Sequence, residues 1–259
     1  MRSALGAVVR RLGLVLALSG CAASPTPVRL ASAFGPDGHG GVAIALRSFV
    51  IKAGTPVEMV PMGTAAALQL LARGDTDAAI VDSLSDAQAF VAQHPERIRV
   101  PLWRLRVSLI GPPDDPAHVR GLSLSAALAA IAASRQPFVS TGDRSGLHRR
   151  EQELWVQAGS PPKGAWYLSA GIGLQGALHL AGQRHAYLLC DQVSYAAAPQ
   201  DGRLTPLVAG SDEQALAVEL LYGMDSRPGS GRMLVLADLV ATLTMTGNSL
   251  PAGYLPPLK

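Results

Sequence analysis

The stretch PFVSTGDRSGLHRREQELW, residues 137–155, decides how the fold of this chain is interpreted. It begins with a short apolar run, PFV, which is typical of a strand, and a polar turn over residues 140–146 follows. A helix pattern comes next, with Leu147, Leu154 and Trp155 on one face. The first N–H groups of a helix lack partners, and the helix dipole places partial positive charge there. A strand that runs through such a turn into a helix therefore predicts an anion site.

The longer run to residue 195 resembles the tungstate-binding proteins of ABC importers, a branch of the type II periplasmic binding proteins. The resemblance lies in the order of four pieces, PFVS-x-GD-x-SG-x-H, ELW, KGAWYL-x-AG-x-G and C-D-x-x-x-Y. It extends more weakly from about residue 28 to about residue 209. The resemblance implies a two-lobed α/β fold with a hinge and an inter-lobe cleft. It also implies a monomeric binding protein with no enzymatic activity, no catalytic residue and no cofactor.

The rest of the chain alternates between strand patterns and helix patterns. Strands are predicted near residues 28–31, 57–60, 78–81, 107–110, 138 and 187–190. Helices are predicted near residues 42–53, 63–71, 85–93, 124–134, 146–158, 175–181 and 232–244. This alternation favours α/β layers with parallel strand pairing.

Two passages of the chain between the lobes are predicted. The break GPPDDP at residues 111–116 is the candidate for the first passage, and the return is placed between residues 194 and 210. The first lobe is then discontinuous, with residues 28–110 and 199–259, and the second lobe comprises residues 111–198.

The amino-terminal residues predict export and anchoring. Arg2, Arg10 and Arg11 flank the apolar run of residues 12–18, and small residues and Cys21 follow. This is the layout of a signal peptide over residues 1–20. Because LSGC also matches the bacterial lipobox, Cys21 is the predicted lipidation site, residues 21–27 are a lipid-anchored linker, and the location is periplasmic or cell-surface. An ordinary signal peptide with a chance cysteine is the alternative.

Composition excludes several functions once the signal is removed. The full chain has 22 basic and 19 acidic residues, and loss of the three leader arginines leaves 19 of each. A formally neutral protein gives no reason to expect a nucleic-acid partner. The histidines lack metal-ligand spacing, so no metal site is predicted. The turn also lacks the G-x-S-x-G pattern of a hydrolase nucleophile.

Three loops, at residues 31–38, 61–64 and 140–146, are predicted to line the cleft. Hydroxyls and backbone amides suit a tetrahedral oxyanion because they donate hydrogen bonds, and a charged partner adds strength. The candidate ligand-binding residues are Ser32, Gly63, Thr64, Ser140, Thr141, Arg144, Ser145, Gly146 and Gly173.

The candidate site departs from the pattern of the family that it resembles. That family typically has a Thr-Thr-Thr-Ser run where only Ser32 keeps a hydroxyl here, arginine where Thr141 stands, and threonine where Leu147 stands. Arg144 is the predicted substitute for the missing charge. The resemblance implies a small oxyanion ligand, tungstate or molybdate first, and an ABC permease as partner. The alternative is a diverged paralogue that acts as a sensor or interaction module, or that binds a different small molecule.

Overall fold

The computed structural model describes residues 25–34, 40–159, 162–199, 201–223, 232–247, 250 and 253–257. The predicted signal peptide, Cys21 and the first part of the linker lie outside the described residues. None of the described helices has both the length and the apolar character that crossing a bilayer requires.

Strands and helices alternate along the chain, which confirms the predicted α/β class. The strands are β1 (Val28–Ser32), β2 (Val57–Pro61), β3 (Ala78–Val81), β4 (Arg97–Leu105), β5 (Val107–Gly111), β6 (Phe138–Ser140), β7 (Tyr167–Ser169), β8 (Leu188–Asp191), β9 (Thr205–Ala209), β10 (Leu216–Gly223) and β11 (Tyr254–Leu255). The helices are α1 (Gly40–Ala53), α2 (Thr64–Arg73), α3 (Leu84–Gln93), α4 (Leu124–Ser134), α5 (Gly146–Gln157), α6 (Leu174–Arg184), α7 (Gln192–Ala197) and α8 (Arg232–Gly247).

The first lobe is built on a mixed sheet with the strand order β11-β4-β10-β3-β1-β2. Strand β1 pairs in parallel with β2 and β3, and β10 runs antiparallel between β3 and β4. Strand β3 is buried along its whole length, as its uninterrupted apolar sequence AAIV requires of a central strand. Helix α8 packs against α1 and β4, so the carboxyl-terminal helix returns to this lobe.

The second lobe has a three-stranded sheet in the order β8-β5-β9, and β6 pairs in parallel with β7 beside it. Phe138 of β6 forms an isolated bridge with Tyr187, which directly precedes β8. Aromatic side chains pack against β6, and the Trp155 ring of α5 contacts the Phe138 ring edge-on, with ring centroids 5.2 Å apart. The helix α5 is therefore fixed against the strand that leads into its own first turn.

The chain passes between the two sheets at different residues from those predicted. Strand β4 ends at Leu105 and β5 begins at Val107, so the first passage is at Arg106 rather than at 111–116. The return lies between Ala209 and Leu216, after the predicted interval. Strands β5 and β9 both belong to the second sheet. The predicted passages were wrong because they were placed from turn residues, whereas strand pairing depends on contacts between residues far apart in the sequence.

Candidate ligand-binding site

A cavity of about 420 Å³ lies between the two lobes. It lies beyond the carboxyl ends of β1, β2 and β3, which is the usual position of a ligand crevice in an open α/β sheet. Its volume falls within the range of small-molecule sites. The lining residues are Ala33, Phe34, Pro61, Met62, Gly63, Asp82 and Leu216 from the first lobe, and Asp143, Ser145, Leu147, Gly173, Leu174, Gln175, Gly176, Asp191 and Ser194 from the second.

The structure brings the described parts of the three predicted loops together, with residues 35–38 of the first loop outside the described residues, but few of the predicted ligand-binding residues line the cavity. Gly63, Ser145 and Gly173 line it. Four other candidates are buried behind the lining, namely Ser32, Thr64, Ser140 and Thr141. Gly146 lines a neighbouring cavity, and Arg144 is exposed and lies outside the lining. The ligand roles of these residues stay predictions.

Four of the predicted hydroxyls form hydrogen bonds within their own turns, whereas Thr64 bonds to Asp82. The bonds are Phe34 N–H to Ser32 Oγ at 3.1 Å, Gly142 N–H to Ser140 Oγ at 3.3 Å, Thr141 Oγ1–H to Asp143 Oδ1 at 3.1 Å and His148 N–H to Ser145 Oγ at 3.2 Å. A hydroxyl-rich loop therefore indicates turn and cap formation here as much as ligand binding.

The helices that begin at the cavity fall into two groups. Helices α5 and α7 are capped by the side chains of Ser145 and Asp191. Helices α2 and α6 instead begin after Gly63 and Gly173, which make no side-chain cap bond. The first N–H groups of a helix have no partner inside the helix. Two open helix ends, one from each lobe, therefore meet the same cavity.

The charge of the lining is negative. Asp82, Asp143 and Asp191 line the cavity, and its described lining contains no arginine, lysine or histidine. Asp82 is 5% exposed, and it accepts hydrogen bonds from Thr64 Oγ1 at 2.6 Å and from the Gly146 N–H at 2.8 Å. Burial raises the pKa of the Asp82 carboxyl above its usual value, while these hydrogen bonds act in the opposite direction.

Asp82 is a site residue that the sequence interpretation missed. Three loops were predicted to line the cleft, and the connection between β3 and α3 was not one of them. The available signal was position, because Asp82 follows the parallel strand β3 just as Ala33 follows the parallel strand β1. Side chains at the carboxyl ends of neighbouring parallel strands meet at one edge of the sheet.

A second cavity of about 330 Å³ also has Asp82 in its lining, together with Arg104, Arg149 and Arg150. These arginines already have partners in the protein. Arg149 pairs with Asp86 at 2.6 Å, Arg150 pairs with Glu153 at 2.8 Å, and Arg104 donates to the main-chain oxygens of Asp212 and Pro256 at 2.9 Å. Each of these arginines therefore already donates to a carboxylate or a carbonyl, while the buried Nε of Arg150 has no hydrogen-bond partner among the described residues.

Beneath the turn that follows β6 lies a buried carboxyl group, Glu151. It accepts hydrogen bonds from Tyr167 Oη at 2.8 Å and from Trp155 Nε1 at 3.2 Å. Burial is the main cause that raises the pKa of Glu151 from 4.5 to about 7. Among the described residues, no group of three or more histidine, cysteine, aspartate and glutamate side chains is placed to hold a metal ion.

The chain matches a known protein family and is similar to tungstate-binding proteins. A family model described as a PBP superfamily domain matches residues 38–222. The tungstate-binding protein TupA of Peptoclostridium acidaminophilum is 30% identical over 210 residues, which cover 75% of this chain and 73% of that protein.

Two solved structures are also similar. The tungstate-binding protein TupA from Desulfovibrio alaskensis G20 is 27% identical, with a TM-score of 0.72 over 90% of this chain and 100% of that chain. A protein described as the tungstate ABC transporter from Geobacter sulfurreducens is also 27% identical, with a TM-score of 0.71 over 88% of this chain and 95% of that chain.

Proposed function

The chain belongs to the PBP superfamily, and on that premise we propose that it is the solute-binding subunit of an ABC importer that captures a small oxyanion between its lobes. The two-lobed α/β fold of type II periplasmic binding proteins, predicted from the sequence, is confirmed by the similar structures. The observation that carries the proposal is the pair of open helix ends, α2 and α6, which face one cavity from opposite lobes. Unpartnered N–H groups and the helix dipole favour an anion there.

Tungstate and molybdate are the first ligands to consider. Similar proteins carry tungstate in their names, and a cavity of about 420 Å³ accommodates a tetrahedral oxyanion with water. Closure of the lobes about the passages at residues 106 and 210–215 is the expected capture step. The closed form would then be presented to a permease, and the ligand would be passed on chemically unchanged.

The proposed location is the periplasm or cell surface, with the protein held as a monomer by a lipid on Cys21. The support is the lipobox LSGC after an apolar run. Replacement of the thiol in Cys21→Ser should move the protein from the membrane fraction to the soluble fraction and abolish labelling by a radioactive fatty acid. Equal labelling of wild type and variant would contradict the anchoring proposal.

The central test is isothermal titration calorimetry of the mature protein with tungstate, molybdate, sulfate and phosphate. The expected result is one-site binding, with tungstate or molybdate bound more tightly than the other two anions. The absence of a binding signal with all four anions would contradict the proposal.

One observation favours the second candidate function, a diverged module that binds a different small molecule. The lining holds three aspartates and no described cation, which suits a ligand that donates hydrogen bonds or carries positive charge. Binding of a small amine, with no signal from the four oxyanions, would support this candidate over the first.

A further inference from the structure

One contact between the lobes joins Asp82 of the first lobe to the amino end of α5 in the second. One carboxylate oxygen, Oδ1, accepts from the Gly146 N–H at 2.8 Å and from the Thr64 hydroxyl at 2.6 Å. A helix-end amide and a hydroxyl are the donors that a bound oxyanion takes. The protein thus supplies its own anion at the helix end that the sequence marks as an anion site.

The local backbone shows how closely the two lobes meet here. A Cβ atom at Gly146 would overlap the main-chain carbonyl of Asp82, so only glycine permits this approach. Both residues are buried, with Asp82 only 5% exposed. The carboxylate forms part of the wall between the two inter-lobe cavities, because Asp82 lines both of them.

The surrounding charges do not compensate for this carboxylate on the side of the ligand cavity. Asp143 and Asp191 line the same cavity, and its described lining contains no cation. On the other side, Arg149 and Arg150 are paired with their own carboxylates, at 2.6 Å and 2.8 Å. An oxyanion that enters the cavity therefore meets the carboxyl group of Asp82 at donors that a ligand oxygen would take, and this carboxyl is negatively charged above its raised pKa.

We infer that Asp82 acts as a resident anion at α5 and lowers the affinity of the cleft for doubly charged oxyanions. The inference goes beyond the proposed function and assumes only that oxyanions can enter this cavity. Two unit charges of like sign about 4 Å apart weaken binding about fivefold in bulk water and about a thousandfold near a protein surface, so an effect on the order of a hundredfold is expected for a partly hydrated anion.

The test is the Kd for tungstate and sulfate of the full mature chain and its Asp82→Asn variant. Asparagine keeps an acceptor oxygen for Thr64 and Gly146, removes the charge, and replaces the second carboxylate oxygen by an amide group that donates hydrogen bonds. The matched control is Asp86→Asn, which removes the same charge from the same lobe at a residue outside the ligand cavity. We expect Asp82→Asn to tighten binding of both anions roughly a hundredfold and Asp86→Asn to change it less than about threefold.

Each result decides between the inference and the proposed function. Tighter binding by Asp82→Asn supports the inference; if the wild type shows no binding, the wild-type oxyanion function fails while the inference stands. Equal, measurable binding by both proteins overturns the inference and leaves the proposed function intact. Absence of binding in both overturns both. Thermal unfolding checks each fold, and Asp82→Ser replaces Asp82→Asn if that variant does not fold.

Discussion

Helices α5 and α6 begin at the same cavity and belong to the same lobe, yet their amino ends differ in what fills them. The end of α5 is capped by Ser145, and its Gly146 N–H is bonded to Asp82 of the other lobe. The end of α6 follows Gly173, which makes no side-chain cap bond and lines the cavity. The polar turn before α5 thus joins the lobes. The first N–H groups of α6, which follow Gly173, stay available to a ligand.

This difference predicts unequal losses of stability from the same small substitution at the two ends. A Cβ at Gly146 would overlap the main chain of Asp82, so Gly146→Ala should lower the free energy of unfolding by about 3 kcal/mol. Apart from its chain neighbours, no described residue has an atom within 4 Å of a Cβ built on Gly173, so Gly173→Ala should cost less than about 1 kcal/mol. Urea denaturation of both variants measures the two costs.

Small-angle scattering gives the control for the first substitution. If the overlap is relieved by separation of the lobes, Gly146→Ala should have a larger radius of gyration than wild type, and Gly173→Ala should not. Equal stability of the two alanine variants would contradict the tight contact at α5.

The buried carboxyl group of Glu151, on α5, makes the stability of the fold depend on pH. The pKa of Glu151 is raised to about 7 by burial, so the folded protein holds this proton more tightly than the unfolded chain. The resulting stability is fully present below about pH 4.5 and is lost as the pH rises through about 7. Between pH 5 and pH 8 the wild type should therefore lose about 2.5 kcal/mol more than Glu151→Gln.

Urea denaturation at the two pH values checks this expectation. The matched control is Glu153→Gln, because Glu153 lies two residues further along the helix and is exposed. It should keep the pH dependence of the wild type. A Glu151→Gln variant with the same pH dependence as the wild type would show that Glu151 ionises normally.

Local sequence predicted most of the fold because most elements have a clear periodicity. Helix α4 matches its predicted limits, and the strand and helix around the turn at residues 140–146 are where they were expected. Strand β4 was missed, since its sequence RIRVPLWRL mixes arginines and a proline with apolar residues. Pairing with β10 and burial of Trp103 stabilise this strand, and both depend on residues more than 100 positions away.

The candidate site was less predictable than the fold. The polar turn was correctly placed beside the cleft, but its hydroxyls bond within the turn and Arg144 is exposed. The direction of a side chain depends on backbone geometry. Arg144 has a positive φ of 61°, which the sequence pattern does not predict. Asp82 was missed for a different reason, because its contact with Gly146 spans 64 residues and two lobes.

The smallest predicted effect tests whether the open end of α6 is the one that binds. Gly173→Asp would place a carboxylate at the N-cap of α6 and so give it the filled state of α5. The new cap should stabilise the fold by about 0.5–1 kcal/mol, because aspartate suits both the N-cap position and the helix dipole. It should weaken tungstate binding about tenfold, since the ligand then competes with a resident anion.

Gly173→Asn is the control that caps the helix without charge, and calorimetry compares the three proteins. Weaker binding by Gly173→Asp alone would assign the effect to charge, and weaker binding by both variants would assign it to competition for the N–H groups. If both bind tungstate as the wild type does, the amino end of α6 lies outside the ligand site and the comparison with α5 loses its functional meaning.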